Sequence, residues 1–491
     1  MRSIDFCLTL LLIVSAVQGA EGPHAERPNV ILIMADDLGY ECMACNGGTS
    51  YETPVFDRLA RRGMRFTHCY SQPICTPSRN KIMTGRSNAR NYRKFGDLDP
   101  AEITFGTLMR DAGYRTAIAG KWQLTGSGGL VHGTGTPPKK CGFEQSCMWA
   151  YERDVTPEQA DAYFANFPAG AKRKMSRFWY PGILVNEEIQ TTTIDDYGPD
   201  IFSDFLLDFM QKHQKEPFFI YYPMVLTHNP FVPAPGTPGL TDELKFTSDA
   251  NNFGDMVRYT GKLVERFLHK LDELGLSENT LVIFTADNGT FRSLESRMGD
   301  RVVIGGKALP LDAGVHVPMF AWWQGVIKEG SVCNSLIEFS DFLPTIAEAG
   351  RAQLPADRPI DGRSFLARLK GEPYTPRESV FVHYDKSPDK EEPEFRRVRF
   401  AFDGRFKLYL DGQMFDVPDD YEEEHPLGLA GATEEISSAR DKLEKVLDSM
   451  PVWEPDNRIF RGQPDAQTLE RRARLNQIRA RQIGAETRGA P

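Results

Sequence analysis

The sequence predicts an α/β protein with a large, mostly parallel sheet sandwiched by helices and a small antiparallel sheet near the C-terminus. Short apolar runs alternate with segments of helical periodicity over most of the chain, as expected for parallel strands that are buried on both faces. After about residue 370, the pattern changes to short strand-like segments separated by turn signals. With 491 residues, the chain is long enough for one large and one small domain.

Four apolar runs are the predicted strands of the large sheet, and each ends in polar residues. Helical spacing of apolar residues predicts helices between them, including residues 201–212 and 253–274. Residues 151–195 show no clear period and are expected to form an irregular excursion over the sheet. The predicted strands cover residues 29–34, 116–121, 218–222 and 281–285.

The predicted small sheet lies within residues 371–462. Asp403-Gly404 and Asp411-Gly412 separate its strand-like segments, and Asp-Gly pairs are strong signals for hairpin turns. The large domain precedes it at residues 27–370. Residues 463–491 form a charged tail, whose Arg- and Glu-rich helical pattern is typical of a solvated helix. The strand-like segments are residues 379–383, 396–402, 406–410 and 413–415.

Residues 1–20 have the pattern of a signal peptide. A positive start precedes an apolar run over residues 7–17, and small residues follow near Gly19 and Ala20. The run is too short to cross a bilayer comfortably, and no later stretch resembles a membrane span. A buried or amphipathic first helix is the alternative. The pattern favours a secreted or periplasmic protein.

Charge and cysteine content narrow the possible partners. The net charge of −10 argues against a nucleic acid, and it means that an anionic substrate needs a local basic pocket. Export would allow disulfides among the six cysteines other than Cys7 and Cys75. Since Cys42-x-x-Cys45 lacks a second such pair, a structural disulfide or free thiols are favoured over zinc or redox chemistry. The six are Cys42, Cys45, Cys69, Cys141, Cys147 and Cys333.

Acidic and amide side chains follow two of the predicted strands. Asp36 and Asp37 come after the first strand, and Asp287 and Asn288 come after the fourth. Ligands of open α/β sheets gather beyond the carboxyl ends of the strands, so these side chains are expected to share one site. Their hard oxygen atoms suit Ca²⁺, with Mg²⁺ as the second choice. Each pair could instead cap a helix or a turn.

Four basic residues lie at predicted strand ends or in loops that contain glycine or proline. Each could be an ordinary surface cation or a loop histidine. Together with a divalent ion, they would form a strongly electropositive pocket that fits a tetrahedral anion. They are Arg79, Lys121, His228 and Lys307.

Residues 75–79 read Cys75-Thr76-Pro77-Ser78-Arg79, and Thr84-Gly85-Arg86 follows shortly after. Pro77 favours the first turn of a helix, where free N–H groups and the helix dipole attract an anion. A lone cysteine in such a setting is more often buried than reactive. The neighbouring motifs change that expectation.

The motifs, taken in chain order from Pro28, make the sequence resemble the type I sulfatases of the alkaline phosphatase superfamily. The Cys-x-Pro-Ser-Arg element with its Thr-Gly-Arg is highly specific, whereas the His-x-Pro element alone would be weak. The matching motifs are Asp36-Asp37, residues 75–79, Gly120-Lys121-Trp122, His228-Asn229-Pro230, Asp287-Asn288-Gly289, Gly305-Gly306-Lys307 and residues 340–345.

The resemblance implies a calcium-dependent sulfuric ester hydrolase that depends on formylglycine. A maturation enzyme would oxidise Cys75 to formylglycine, which would join Asp36, Asp37, Asp287 and Asn288 around Ca²⁺. One hydroxyl of the formylglycine hydrate would attack sulfur. The second would then expel sulfate and regenerate the aldehyde.

The resemblance also implies roles for the basic residues. Lys121 and Lys307 would hold the sulfate oxygens, and Arg79 would steady the hydrate. His228, together with Lys307, would supply the proton to the leaving oxygen.

Two positions depart from the family pattern. The family usually has a histidine where this chain has Gln123, and that histidine is the base for sulfate elimination. An amide cannot accept a proton, but it can hydrogen-bond the diol and orient it. His316 stands where arginine is common, and we interpret it as structural.

Two other functions stay open. A phosphonate or phosphate ester hydrolase could use the same scaffold and the same modified cysteine. Alternatively, Gln123 and an unmodified Cys75 would suit a non-catalytic binder of sulfated glycans. Export favours a sulfated oligosaccharide as the substrate, although a sulfated small molecule is also compatible. Four aromatic residues could line a sugar cleft or pack a loop onto the sheet, namely Trp149, Tyr151, Trp179 and Tyr180.

Overall fold

The structure is a computed structural model that describes residues 27–126, 134–150, 158, 161, 167, 173–386, 388, 397–428, 430–452 and 466–486. The predicted signal peptide and Tyr151 lie outside the described residues. The strands in chain order are β1 Asn29–Ala35, β2 Met64–Phe66, β3 Cys69–Tyr70, β4 Arg115–Gly120, β5 Gln145–Trp149, β6 Ile183–Val185, β7 Glu188–Gln190, β8 Phe218–Pro223, β9 Thr280–Ala286, β10 Glu295–Met298, β11 Arg301–Ile304, β12 Met319–Trp322, β13 Ser331–Cys333, β14 Ile337–Glu338, β15 Val380–Tyr384, β16 Val398–Phe402, β17 Phe406–Tyr409 and β18 Met414–Asp416.

A ten-stranded sheet forms the centre of the fold, with the strand order β13-β2-β12-β9-β1-β8-β4-β5-β6-β7. The five central strands from β9 to β5 run parallel to one another. Antiparallel strands β12 and β6 flank them. The predicted mostly parallel sheet is confirmed, and the four predicted strands are β1, β4, β8 and β9.

Helices cover both faces of this sheet. Helix α6 contacts both α1 and α5, whereas α2, α4 and α8 form a second group whose members contact one another. Helices α4 and α5, one from each group, both contact β4. Successive strand residues point to opposite faces, and every residue of β1 and β9 is buried, so both faces of the sheet are covered. The helices are α1 Pro54–Arg62, α2 Cys75–Thr84, α3 Asn88–Asn91, α4 Phe105–Asp111, α5 Gly198–Lys212, α6 Phe253–Leu274, α7 Asp312–Val315, α8 Phe342–Ala349, α9 Leu366–Lys370, α10 Glu434–Asp448 and α11 Ala466–Glu486.

The core explains why the central strands read as unbroken apolar runs. Every residue of β1 and of β9 is buried, because helices cover the strands from both sides. The predicted helix 253–274 agrees with α6 in both bounds. Helix α5 begins three residues before the predicted residue 201, at Gly198, with Pro199 in its first turn.

The small sheet is antiparallel in the order β15-β16-β17-β18, as predicted. Gly404 and Gly412 have φ values of +102° and +90° in the turns that connect β16 to β17 and β17 to β18. Helix α10 packs on one face of this sheet. The other face shares an apolar cluster with Tyr70, Ile74 and Cys75, so the small sheet braces the start of α2.

Two predictions about irregular or exposed segments were wrong in part. Residues 183–190 form β6 and β7, which extend the large sheet by antiparallel pairing rather than forming an irregular loop. The tail forms helix α11, but it is not simply solvated. Leu475 and Ile478 are buried against Ile304 of β11, because the helix folds back onto the β10–β11 hairpin.

The seven cysteines in the described part of the chain are free thiols. Of the two alternatives that the sequence favoured, a structural disulfide or free thiols, the structure has the free thiols. Six of them are buried, as is usual for a cysteine that acts as a small apolar side chain. Among the described residues, no helix combines the length and the apolar character that crossing a membrane requires.

Candidate functional site

The carboxyl ends of β1 and β9 bring three aspartates and an asparagine together. The strands pair in parallel with Ala35 opposite Ala286, so the next residues, Asp36 and Asp287, leave the sheet side by side. The N–H of Asp37 donates to Asp287 Oδ1 over 3.1 Å. The side chains of Asp36, Asp37, Asp287 and Asn288 are all fully buried.

Two cations neutralise part of this acidic cluster. Lys121 follows β4, and its Nζ donates to both carboxylate oxygens of Asp36 at 2.9 and 2.8 Å. Arg79 from α2 donates through Nε and Nη2 to Asp287 Oδ2 at 3.2 and 2.8 Å. The third guanidinium nitrogen of Arg79 donates to the carbonyl of Lys121, which fixes the two cations relative to each other.

Lys121 reaches the site from a tight turn after β4, where the backbone of Gly120 lies close to the backbone of Pro223. Gly120 has a φ of +117°, and a Cβ at this position would lie 2.1 Å from the carbonyl oxygen of Pro223. Only glycine combines this φ with this contact. The Gly-Lys pair of the motif therefore has a geometric reason in the turn after β4.

Burial and neighbouring charge perturb the three carboxyl groups differently. Burial raises the pKa of Asp287 to about 7, and the charge of Asp36 adds to the rise. Burial also raises the pKa of Asp37, again with a contribution from Asp36. For Asp36, burial acts in the same direction, but the charges of Lys121, Arg79 and Lys307 outweigh it and hold its pKa below the usual range. A further positive charge among these groups would stabilise their ionised forms.

The donor set fits a hard divalent cation. Asn288 Nδ2 donates to Asp37 Oδ1 over 2.8 Å, yet its buried Oδ1 has no hydrogen-bond partner among the described residues. Asp36, Asp37 and His228 offer ligand atoms that lie within 4.8 Å of one another. Carboxylate oxygens beside an orphaned amide oxygen are the ligands that Ca²⁺ and Mg²⁺ take.

Lys307 and His228 form a pair at the edge of the cluster. Lys307 Nζ lies 2.6 Å from Asp37 Oδ2 and 2.9 Å from His228 Nε2. The other ring nitrogen of His228, Nδ1, lies 2.5 Å from the Asn229 carbonyl, which can only accept. His228 therefore carries its proton on Nδ1, and its Nε2 accepts from the Lys307 ammonium. Burial lowers the pKa of His228, and the charges of Lys307 and Arg177 lower it further, so the ring is neutral.

Cys75 is the first residue of α2 and is buried. Burial alone would lower the pKa of Lys307, but the negative charges of Asp37 and Asp36 outweigh it and raise that pKa. Ala308, the residue after Lys307, packs against the apolar cluster that contains Cys75. The N–H of Ala308 donates to the Pro73 carbonyl over 2.6 Å and ties the Lys307 loop to the segment before α2. The structure thus brings the predicted nucleophile and the predicted anion-binding residues into one cluster.

Arg177 is a site residue that sequence reasoning missed. Its side chain is buried, with Nη1 3.8 Å from Asp36 Oδ2 and the guanidinium 4.1 Å from the centre of the Trp149 ring. Arg177 lies in an aperiodic stretch without a motif, so the sequence carried no signal for it. With Arg79, Lys121 and Lys307, it gives four buried cations against three carboxylates.

Gln123 and His316, the two departures from the family pattern, differ in location. Gln123 is half-buried just beyond Lys121 and has a φ of +55°. His316 hydrogen-bonds the Thr67 carbonyl over 2.9 Å and stacks on Tyr40 with ring centres 4.0 Å apart. These contacts hold its ring between the segment before β3 and the residues after β1, which fits its structural interpretation.

The predicted aromatic residues mostly pack the fold. Trp149 and Trp179 are buried, and Trp179 Nε1 donates to the Pro233 carbonyl over 2.8 Å. Tyr180 is half-buried. Trp149 affects the site only indirectly, because its ring packs against the guanidinium of Arg177.

Solvent reaches the cluster from one side. The side chains of His228 and Lys307 are 15% and 10% exposed, whereas those of Asp36, Lys121 and Arg79 are at most 3% exposed. A ligand would therefore enter past the Lys307–His228 pair.

Comparisons with known proteins agree with this arrangement. The sequence profile of the Sulfatase family matches residues 28–351. Human arylsulfatase A is 30% identical over 90% of this chain and 92% of its own length. Mouse N-acetylgalactosamine-6-sulfatase is 30% identical over 74% of this chain and 70% of its own length.

Solved structures share the fold at lower identity. The structure of BT4656 in complex with its substrate D-glucosamine-2-N,6-O-disulfate superposes with a TM-score of 0.66 at 20% identity and covers 86% of this chain and 97% of that chain. The phosphonate monoester hydrolase of Agrobacterium radiobacter gives a TM-score of 0.64 at 19% identity, with 86% and 95% covered. At these identities, the likeness shows the fold alone.

The profile match and the geometry of the site agree on the family. The profile match spans both strand-end pairs, the Cys75 motif and the Lys307 loop, and the structure brings these residues together around one buried cluster. The chain therefore belongs to the sulfatase family and is a sulfatase enzyme of the type I, alkaline phosphatase-like fold.

Proposed function

We propose that this protein is an exported, calcium-dependent sulfatase that uses formylglycine at position 75 to release sulfate from a sulfated carbohydrate. The observation that carries the proposal is the charge balance of the buried cluster. Its four cations and three carboxylates leave a formal charge of +1, and a divalent ion would raise it to +3. A buried, solvent-poor site of this charge favours a tetrahedral sulfate anion.

The metal would be held by Asp36, Asp37, Asp287 and the orphaned Oδ1 of Asn288, together with residue 75. A bound Ca²⁺ supplies a Lewis acid that polarises oxygen atoms of the nucleophile and of the sulfate. Arg79 and Lys121 hold Asp287 and Asp36 in fixed orientations, so the ligands are positioned before the metal arrives. Mg²⁺ is the second candidate.

Maturation of Cys75 to formylglycine would supply the nucleophile, which is a hydroxyl group of the hydrated aldehyde. This step requires a maturation enzyme as a partner, and it fits passage through an export pathway directed by residues 1–20. The location of Cys75 at the start of α2 suits the reaction, because free N–H groups of the first helical turn face developing negative charge.

The Lys307–His228 pair would protonate the leaving oxygen. Because His228 Nε2 already accepts from Lys307, the proton originates on Lys307 Nζ and reaches the leaving oxygen directly or through His228 Nε2. Lys121, Lys307 and Arg177 would hold the sulfate oxygens. Gln123 would orient a hydroxyl group of the modified residue 75 by hydrogen bonding, without acting as a base.

The proposed substrate class is a sulfated carbohydrate. N-acetylgalactosamine-6-sulfatase, a relative at 30% identity, is named for an amino-sugar sulfate, and this supports the choice for the present chain. The accessible side of the cluster at Lys307 leaves room for the alcohol part of the ester outside the charged interior.

The test is a sulfate-release panel with the matured full-length protein. Sulfated mono- and oligosaccharides, a steroid sulfate and 4-nitrophenyl sulfate are compared with the matched phosphonate ester, and Cys75→Ala is the inactive control. We expect calcium-dependent sulfate release, with sugars preferred, and mass spectrometry should show formylglycine at residue 75. A strong preference for the phosphonate would favour the phosphonate hydrolase. An unmodified thiol with tight glycan binding and no turnover would favour the glycan binder.

A further inference from the structure

A cavity of about 280 Å³ lies between helix α11 and the loop that carries Lys307. One wall comes from the segment after β9 and from β11, and the other comes from α11. This volume is close to the lower end of the range for small-molecule pockets, about 300–1,000 Å³. Its principal lining residues are Phe291, Arg292, Ile304, Leu309, Arg471 and Arg474.

Helix α11 is fixed in place as the outer wall. Arg471 is buried and donates through Nη1 to the carbonyls of Ile304 and Gly305 at 3.0 and 2.8 Å. Arg474 donates to the carbonyls of Arg292 and Ser293 at 2.8 and 2.9 Å. These contacts satisfy carbonyls just before β10 and at the end of β11, so they anchor α11 to the open end of the β10–β11 hairpin.

Phe291 connects the cavity to the proposed active site. Its ring lines the cavity, and the Lys307 ammonium lies 5.7 Å from the ring centre. Gly305 and Leu309, which bracket Lys307 in sequence, line the same cavity. Because solvent reaches the buried cluster past Lys307, a substrate whose sulfate is held there would extend across Phe291 towards this cavity.

Arginines outnumber acidic residues in the lining of the cavity. Arg292, Arg471 and Arg474 face a single acidic lining residue, Glu470. Arg471 and Arg474 already pair with glutamates outside the cavity. Half-buried Arg292 has no ion pair within the described part of the chain, so its guanidinium is available to a ligand. An arginine fork suits a carboxylate or a sulfate.

We propose that this cavity is a subsite for a second, anionic sugar unit of the substrate, with Arg292 as the group that recognises its carboxylate or sulfate. The proposal rests on the sulfatase function proposed above, and it narrows the substrate class to oligosaccharides that carry an acidic neighbour beside the hydrolysed sulfate ester. Helix α11 then has a role in specificity, since it completes the subsite.

The test compares three substrates with the matured full-length protein. One is 4-nitrophenyl sulfate, the second is a sulfated disaccharide with a uronate as its other ring, and the third is the same disaccharide with the carboxylate reduced to an alcohol. The variant is Arg292→Gln. Arg292→Lys tests partial rescue, and Arg297→Gln, an exposed arginine on the same hairpin, is the matched control.

We expect Arg292→Gln to raise KM for the uronate disaccharide about tenfold, with kcat unchanged and both other substrates unaffected. Removal of residues 463–491 should produce the same selective loss, and activity on 4-nitrophenyl sulfate verifies that the shortened protein folds. An unchanged KM for the uronate disaccharide, or an equal change for all three substrates, would overturn the subsite.

Failure of the sulfatase proposal is distinguishable from failure of the subsite. If the wild type releases sulfate from none of the three esters, the sulfatase proposal fails. In that case, calorimetry of the uronate disaccharide with the wild type and with Arg292→Gln decides the subsite. A tenfold weaker affinity of the variant supports it, and equal affinities overturn it.

Discussion

Replacement of Lys81 by methionine should destabilise the protein by about 3 kcal/mol. Lys81 lies in α2, and its buried Nζ donates to Glu338 Oε2 and to the Phe381 carbonyl, both at 2.9 Å. Glu338 is the last residue of β14, whereas Phe381 belongs to β15 of the small sheet. The ammonium thus connects the helix that starts at Cys75 to β14 and to the small sheet.

The size of this loss in the free energy of unfolding depends on the Glu338 carboxylate, which stays buried after Lys81 is replaced. Removal of one partner from a buried ion pair costs about 3–5 kcal/mol, because the other charge stays buried. Arg377 Nη1 remains 3.2 Å from the second oxygen of Glu338. Burial raises the pKa of Glu338, but Arg377 and then Lys81 outweigh it and lower it to about 2, so the stronger of the two cations is retained. This places the loss at the lower end of the range.

The assay is denaturant unfolding of the purified protein, followed by tryptophan fluorescence. Lys328→Met is the control, since Lys328 is exposed, and we expect its effect to stay below about 0.5 kcal/mol. In the double variant with Glu338→Gln, the two losses should be less than additive by about 1–3 kcal/mol. A loss for Lys81→Met no larger than that of the control would refute the reasoning.

Four further predictions concern the metal, the anion site, turnover and pH. Calcium at about 100 times its dissociation constant should stabilise the wild type by about 2.7 kcal/mol, and Asn288→Ala should need about tenfold more calcium for the same thermal shift; an identical calcium response would remove Asn288 from the metal site. Arg177→Met should raise the inhibition constant of inorganic sulfate about tenfold in steady-state assays, and an unchanged constant would exclude contact with the anion. Gln123→His should raise kcat by up to about 100-fold, with a new limb in the pH–rate profile, if a base limits sulfate expulsion; a flat response would show that another step limits turnover. Burial, together with the charge of Arg399, lowers the pKa of His383 to about 3, so on acidification the unfolded chain binds a proton at this histidine before the folded protein does. The contribution of His383 to the free energy of unfolding should therefore be complete above about pH 6.5 and fall by up to about 5 kcal/mol towards pH 3. His383→Gln should flatten this pH dependence in unfolding experiments.

Several features of the fold could be predicted because their causes are local. The apolar runs of β1 and β9 identify strands that are buried on both faces, and Asp-Gly pairs specify the hairpins of the small sheet. Strand ends in a parallel sheet must meet at one edge, so the positions of Asp36 and Asp287 after their strands were enough to place them together. Short-range patterns failed for β6 and β7, which owe their pairing to the neighbouring edge strand rather than to their own periodicity.

The sequence by itself determined the fold class, the positions along the chain of the strands that carry the site and the residue types of the cluster, because periodicity, turn chemistry and motif spacing are encoded in adjacent residues. Only the tertiary structure decided which of these groups form hydrogen bonds and ion pairs with one another. It placed the Lys307 ammonium against Nε2 of His228, placed Arg177 beside Asp36, and folded α11 over the β10–β11 hairpin. These contacts join residues far apart in the chain, and their energies depend on burial, which no local pattern specifies.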